Sequence, residues 1–598
     1  MRIPKKHIGH WATEVIQNCS VSLVDRVQRG AVYRSMYLTG DENGSPQTYN
    51  KTLSYIEKLS SNIYSPADLR FAVTPPEDVG PEERAKGSRA AKELNSQIRG
   101  ADIDLKLCEA FDWALIKGKT FVKQLWNPSH KRIDAWMIQP EFMGVMREDV
   151  CELDRQEAFF QTTYMIPQEF ERMIADRHDA KEIWKRAQTY ITPAKDGEGP
   201  DRDTMLKQVI LGGTNPYQVA GQNTSQTSRG LVNWLSGPAP TWSPKTLAGL
   251  IKFDELWVWD TERSDWVTIQ LIGPDCVLEG KTVQRNIFST DPTNPLSGAD
   301  DENPLKGQHP FSEICLNPIA GYFWGRSEVA CVGLAQKTLN ARIDGINKLL
   351  RKQEDPPLFV RGSSQNEIAI SRLRKPGGWM TDPNPNAEVK PILPEIPVGL
   401  YESMHEAEGI FDDMADATAV MSGRGESGVR AQGHAETLVR MASPRLKRRA
   451  LRGEKQVSRI GALAFMILQA KSDTKFKAYV TEEDAGIQAS LPPSDLLAQP
   501  PAPKMKAIEF YLKDVDEDSR VSVDSHSSSP VFASDARELV FALAKAGAIS
   551  QERLIELTHP PMEDELVADA ERKKMAEAEL IKQHPELLQK GAGGGKKK

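Results

Sequence analysis

Apolar residues recur at steps of four and three along residues 400–421, where Leu400, Met404, Ala407, Phe411, Met414, Thr418 and Met421 mark one face of a helix. The rest of that helix is acidic: Glu402, Glu406, Glu408, Asp412, Asp413 and Asp416 stand against no Lys or Arg. Residues 422–433 (SGRGESGVRAQG) hold four glycines and no large apolar residue, so they read as a loop. A basic helix follows, with 434–459 at net plus six. Pro444 should kink or restart it, with Ser443 as its cap. A second long helix is predicted over 327–355 from Val332, Leu339, Ile343, Ile346 and Leu350, and Pro356-Pro357 end it.

Elsewhere the periods alternate. Helical patterns over 11–38 and 49–64 lead through Ser65-Pro66 to a strand in LRFAV. An amphipathic helix over 90–117 breaks at Gly118 and gives way to the strand TFVKQLW. Further β segments are IDAWMIQPEFMGVM, AFFQTTYMI, IKFDELWVWD, DWVTIQLI and DCVLEG, spaced by turns as in an antiparallel sheet. Residues 192–245, rich in Gly, Pro, Ser, Asn and Thr, read as long loops or a poorly ordered insertion. Eight prolines in 356–397 surround short β pieces (LFVRG, GWMT, EVKPIL), a turn-rich module between the two long helices. IEFYL and VSVDS read as strands, 533–558 as a helical hairpin and 562–582 as a charged helix before a GAGGGKKK tail. The fold class is α+β.

With 598 residues, the chain can form several domains or one large domain with extensions, and can bury a core without staples. Six scattered cysteines suggest neither a zinc site nor a disulfide framework. The longest uncharged apolar stretch, 460–468, falls short of the roughly 20 residues that cross a bilayer, and no signal peptide is expected from MRIPKKHIGHW. Net charge is −7, so nucleic-acid contact must be local.

This order of elements resembles the portal proteins of tailed bacteriophages. GDENG, SPADLRF and DWALIKGKTFVKQLW look like the family's wing. HPFSEICLNPIAGYFWGRSEV followed by LAQKTLNARIDGINKLLRKQEDPPLFV looks like the junction into its first stem helix, and KAGAISQERLIELTHPPMEDEL like its crown. The resemblance divides the chain into a wing (1–325, with the insertion at about 192–245), a first stem helix (326–355) and a clip (356–397). A second stem helix (398–421), a tunnel loop (422–433) and a kinked wing helix with a β segment (434–529) come next, then a crown (530–590) and a tail (591–598). It implies a homo-oligomeric ring of about twelve subunits at one capsid vertex. Double-stranded DNA would pass through it. Its partners would be the terminase large subunit, tail adaptor or head-completion proteins, and the major capsid and scaffolding proteins, with no membrane. The ring would be assembled in the host cytoplasm and reside in the virion. No enzymatic activity, cofactor or metal of its own is implied.

On that resemblance the apolar stripe of 400–421 packs on a neighbouring stem helix. Carboxylates left toward the bore, among Glu402, Glu406, Asp412, Asp413 and Asp416, would repel phosphates and keep DNA sliding. Ser422, Arg424, Glu426, Arg430 and Gln432 of the loop would meet DNA; the plainer reading is a solvated loop. Arg361, Arg372, Arg374, Lys375 and Trp379 would dock the motor or adaptor, or simply be exposed charge and a packed Trp. The basic run 445–459 is open between DNA contact, a solvated face and ion pairing with the acids of 402–416 on a neighbour.

Several strings imitate enzymes. HIGH at 7–10 lacks a preceding nucleotide-binding strand, and Gly118-Lys119-Thr120 follows a helix where a phosphate loop needs a strand. Gly280-Lys281-Thr282 fails because Asp275 stands at the glycine position of a phosphate loop. Asp412-Asp413-Met414-Ala415-Asp416 fits the DDxxD spacing that holds magnesium, but the facing helix candidate 327–355 is net basic, which favours salt bridging. The rivals to a portal are therefore a magnesium-dependent enzyme built on that acidic helix, or another capsid or scaffold protein without a channel.

Overall fold

The computed structural model describes residues 1–190, 251–272, 305–362, 382–415, 444–481, 505–523, 540–545 and 554, apart from 5–6, 43–48, 67–68, 77–79, 129, 166, 176–179, 306, 355, 357, 393–396 and 517. In chain order its elements begin with α1 (Ile8–Cys19), α2 (Leu23–Thr39), α3 (Lys51–Ile63), β1 (Phe71–Thr74), α4 (Pro81–Gly100) and α5 (Ile103–Lys117). The strands β2 (Thr120–Asn127), β3 (Arg132–Ile138), β4 (Met143–Val145) and β5 (Ala158–Met165) follow, then α6 (Pro167–Ile174) and α7 (Ala180–Tyr190). Next come β6 (Ile251–Asp260), β7 (Asp265–Ile272), β8 (Phe311–Ile314), α8 (Glu328–Glu354), β9 (Leu358–Arg361) and β10 (Glu388–Pro391). The last are α9 (Val398–Ala415), α10 (Pro444–Lys471), β11 (Lys475–Thr481), β12 (Met505–Tyr511) and β13 (Arg520–Val523).

Helices and sheets are mixed, and every strand pairing among the described residues is antiparallel. The α+β class therefore holds. One sheet runs β4-β5-β6-β7, a second β3-β2-β8, and three ribbons pair β1 with β13, β9 with β10 and β11 with β12. The four-stranded sheet has two buried faces. On one, Phe160, Leu256, Val258, Val267, Ile269 and Leu271 take up the apolar stripe of α1, namely Ala12, Val15, Ile16 and Cys19. On the other, Phe159, Trp257 and Trp266 stack with His309 and Phe311 at centroid distances of 5.1 to 6.1 Å.

The largest core joins α3, α4 and α5 to the three-stranded sheet, α8, α9 and α10. Two glycines on α10 make its close approach possible. A Cβ on Gly453 would lie 2.9 Å from the Phe111 ring, and one on Gly461 would lie 2.3 Å from the Phe71 ring. At a second crossing Gly118 (φ 99°) and Gly325 (φ 69°) meet with no room for a side chain on either, since a Cβ on Gly118 would reach Trp324 O at 2.9 Å.

Several boundaries differ from the sequence expectations. The helix predicted over 90–117 is two helices, because Ala101-Asp102 turn the chain and Asp102 takes the left-handed conformation (φ 52°) that Asp tolerates. Of LRFAV only the last three residues enter β1, with Thr74. The strand β11 is absent from the sequence expectations, although Lys475-Phe476-Lys477-Ala478 alternate polar and apolar as a half-buried strand does. The described part of the basic helix, α10, begins at Pro444, with proline in the first turn where its missing N–H costs nothing. DCVLEG, GWMT, Ser443, 192–245 and most of 530–598 lie outside the described residues. No helix among the described residues is long and apolar enough to cross a membrane.

Gly461→Ala should lower the stability of the folded chain by about 1–3 kcal/mol through overpacking against Phe71. Gly345→Ala on α8 has open space at its Cβ and should raise it by up to about 1 kcal/mol. Chemical denaturation of the two variants checks both signs.

Candidate functional site

The long helices α8 and α9, with the β9–β10 ribbon between them, form a helical hairpin. The ribbon register runs from Leu358 opposite Pro391 to Arg361 opposite Glu388. The helices are antiparallel, since the C-terminal end of α9, with Phe411 and Ala415, shares its core with Val329 and Val332 near the start of α8. Burial falls off along the hairpin. On α8 the buried positions end at Ile346, and on α9 they begin at Ala407. Beyond these the hairpin stands clear of the body, and its tip exposes Phe359, Val360 and Ile392.

The foot of α8 is set by polar contacts. Ser327 caps the helix, its Oγ accepting from Ala330 N at 3.2 Å and donating to Ile116 O. Glu328, 1% exposed, accepts from Asn317 Nδ2 (2.7 Å) and Tyr55 Oη (3.1 Å) and pairs closely with Arg449 of α10. Arg449 Nε also donates to Asn317 Oδ1 (3.0 Å). Two turns on, Gln336 Oε1 accepts from Lys51 N (3.1 Å) and Thr52 N (3.3 Å), while its Nε2 donates to Tyr49 O (2.9 Å) and Asn340 Oδ1 (2.8 Å). Asn340 in turn donates to Gly40 O (2.8 Å). These buried polar groups fasten α8 to the chain entering α3.

Helix α9 lies on the same seam. Phe411 meets Tyr55 edge-on at 6.3 Å. Lys51 Nζ reaches Asp412 Oδ1 (2.7 Å) and Glu408 Oε1 (3.3 Å), and Tyr49 Oη donates to Glu408 Oε1 (2.8 Å). The hydrogen bond from Tyr49 and the neighbouring Lys51 hold the Glu408 carboxyl below its ordinary value.

Two sequence expectations are corrected here. The middle of the apolar stripe, Ala407 and Phe411, is buried within the chain against α8 and α3, so Met414 alone of its described members is exposed. Asp412 takes its cation from Lys51 of α3 and not from the basic face of 327–355. Within the chain, Arg449 of the basic run meets Glu328, and Arg459 meets Asp154, whose Oδ1 also lies 2.9 Å from His309 Nε2. Burial pushes the Asp154 carboxyl up, yet His309 and Arg459 outweigh it and hold it below the usual range. Lys119 of the phosphate-loop look-alike is buried, paired with Glu313 (2.9 Å) and over the Phe323 ring (3.5 Å).

Glu402, Glu406, Asp413 and Arg361 are exposed. Asp416, Ser422, Arg424, Glu426, Arg430, Gln432, Arg372, Arg374, Lys375 and Trp379 lie outside the described residues. Sequence reasoning missed Lys51, Tyr49, Glu328 and Gln336. The one available signal was Gln336 and Asn340, four apart and polar, beside the apolar row of α8.

The exposed faces of the hairpin differ in sign. On α8 the exposed ionisable groups are Lys337, Arg342, Lys348, Arg351 and Lys352 against Asp344 and Glu354. On α9 they are Glu402, Glu406 and Asp413, with His405. Each face also exposes large apolar side chains, Leu334 at 73% on α8 and Ile410 at 47% with Met414 at 41% on α9.

Arg449→Met should destabilise the chain by about 3–5 kcal/mol, because Glu328 is left charged and buried, and adding Glu328→Gln should recover most of the loss; denaturation of the single and double variants measures both. Acid acts on α9. A depressed carboxyl stabilises the fold above its ordinary value of 4.5, and that contribution is lost as pH falls through the lower folded value. Below that pH, hydrogen exchange in 404–415 should speed up before the rest of the core, and Lys51→Met should produce the same loosening at neutral pH at a cost of roughly 1 kcal/mol. No family model matches the chain, and no curated protein matches it.

Proposed function

We propose that the chain is the subunit of a phage portal: a homo-oligomeric ring of portal fold that carries double-stranded DNA through a capsid vertex, docks the terminase motor, and later receives the tail. In this reading it performs no chemistry of its own. The observation that carries the proposal is the projecting hairpin, whose α8 face is cationic and whose α9 face is anionic, each with apolar side chains in water. A surface with two complementary, unlike faces on one subunit favours head-to-tail association, and such association closes into a ring when the rotation per step divides a full turn. Exposed apolar patches bordered by charge are the usual mark of an interface. The α8–ribbon–α9 order agrees with the stem–clip–stem order that the sequence resembles. Arg361 and the apolar ribbon residues then form part of the docking end.

Inside a ring, carboxylates that remain toward the bore keep the phosphate backbone from being bound tightly. Each phosphate neutralised by a fixed cation would add a counterion-release contribution to affinity and slow passage. The tunnel-loop residues Arg424 and Arg430, separated by Glu426, supply a low net positive charge per subunit for passing contact.

Negative-stain microscopy and mass photometry of the purified chain should show rings with a central hole. A chain that stays single-copy at high concentration would sink the proposal. Reversing Glu402, Glu406 and Asp413 to Lys should abolish rings, and reversing Arg342, Lys348 and Arg351 to Glu in the same chain should bring them back; rings that ignore both changes would place the seam elsewhere.

A further inference from the structure

A cleft of about 150 Å³ opens at the foot of α8, between α2, the end of α5 and the segment 319–327. Its walls carry four cations, Arg26, Arg29, Lys117 and Arg326, and one carboxylate, Glu141. That carboxylate is already committed: Lys117 Nζ lies 2.6 Å from its Oε1, with both side chains buried. The buried floor cation, Arg26, has neutral direct partners. Its Nη2 donates to Met143 O (2.8 Å), its Nη1 to Pro140 O, its Nε to Ser22 Oγ (3.0 Å), and its guanidinium lies 3.4 Å from the centre of the Trp324 ring.

These contacts hold Arg26 rigidly without cancelling its charge by direct contact. Burial lowers its pKa to about 10, with Glu148 and Glu141 opposing from a distance. A buried cation whose charged form is penalised in this way is a standing cost that a nearby anion would reduce. At the rim, Arg29 and Arg326 are exposed, and neither has a carboxylate partner among the described residues; Arg29 Nε donates to the Asp25 carbonyl (3.3 Å). Gly325, Ser327 and Ala330, where α8 begins, line the same space, so the positive end of a 27-residue helix adds to the field.

We propose that this cleft is an oxyanion site that takes a phosphate group, clasped at the rim by the Arg29 and Arg326 guanidiniums above the fixed charge of Arg26. The volume suits that class. It equals about five water volumes of roughly 30 Å³, enough for one phosphate with some of its hydration. Planar forked donors on two arginines match the oxygens of such a group better than ammonium ions would. The site lies in the body of the subunit, away from the exposed faces of the hairpin, so it stands or falls separately from the ring.

The test is calorimetric titration of the full chain with inorganic phosphate, alongside a 5′-phosphorylated dinucleotide and its dephosphorylated form. Saturable binding of phosphate, with Kd in about the millimolar range or tighter, is expected. Arg29→Ala with Arg326→Ala should weaken it by at least about tenfold, and Lys131→Ala, on an exposed turn elsewhere, should leave it unchanged. Binding of inorganic phosphate alone would assign a free ion. Binding of the phosphorylated dinucleotide as well, but not of its dephosphorylated form, would assign a terminal phosphate on a nucleic acid. Phosphate should also raise Tm with concentration in the unsubstituted chain, a readout that needs no variant to fold. Absence of saturation with every probe, or a double variant that binds as well as the original, would overturn the site.

Discussion

The ion pair between Glu328 and Arg449 joins the first turn of α8 to the first turns of α10, and because Glu328 is out of water the geometry around it has little freedom. A carboxylate in that position is tolerable only when its lone pairs are filled, which Asn317, Tyr55 and Arg449 do from three separate parts of the chain. Moving any one of these parts leaves a charge buried and short of partners. The direction in which the hairpin leaves the body is thus set by electrostatics at its root, with the crossing of Gly118 and Gly325 alongside fixing how closely the two backbones approach.

The same principle recurs in the sheets. Lys117, Lys119 and Lys123 lie close together in sequence and all are buried, and each meets a carboxylate from elsewhere: Glu141, Glu313 and Glu255. Lys123 ties the three-stranded sheet to the four-stranded one, where it also donates to Gln161 (3.0 Å) and sits over Trp257, while Phe311 of its own sheet flanks it. An apolar side chain there would satisfy packing in many registers, whereas a buried ammonium accepts few. The Gly-Lys-Thr string is explained by this architecture: Gly118 permits the crossing, Lys119 makes a buried pair, and Thr120 Oγ1 donates to Ile138 O (3.0 Å).

How much of this could be read from sequence follows from the range of each interaction. The two long helices were legible because a four-three apolar rhythm and a proline stop are local signals, and the β6 and β7 strands were legible from dense apolar and aromatic runs. Asp102 hid a break because its turn depends on one residue's tolerance of positive φ. The buried pairs were not legible. Glu328 and Arg449 are 121 positions apart, as are Lys123 and Glu255 by 132, and every one of these residues looks like surface charge until its partner is placed. The acidic rod misled in a specific way: its charges looked uniform, yet Glu408 and Asp412 serve to fasten α9 inward while Glu402, Glu406 and Asp413 face water.

That division of labour bears on how a ring could form from such a subunit. In the proposed ring, carboxylates already paired with Lys51 would add little to a contact between copies, so the attraction would come from the three outward ones and the cations of α8. Exposed ion pairs are weak, about 0 to 1 kcal/mol each, and salt screens them. Leu334, Ile410 and Met414 would therefore supply most of the association energy through burial, with the charges choosing which face meets which. Unlike faces forbid a two-fold pair that matches α9 to α9, since that would set carboxylates against carboxylates. In the proposed ring the step would be repeated in one sense around an axis, and the buried pair at Glu328 would help keep its angle the same in every copy.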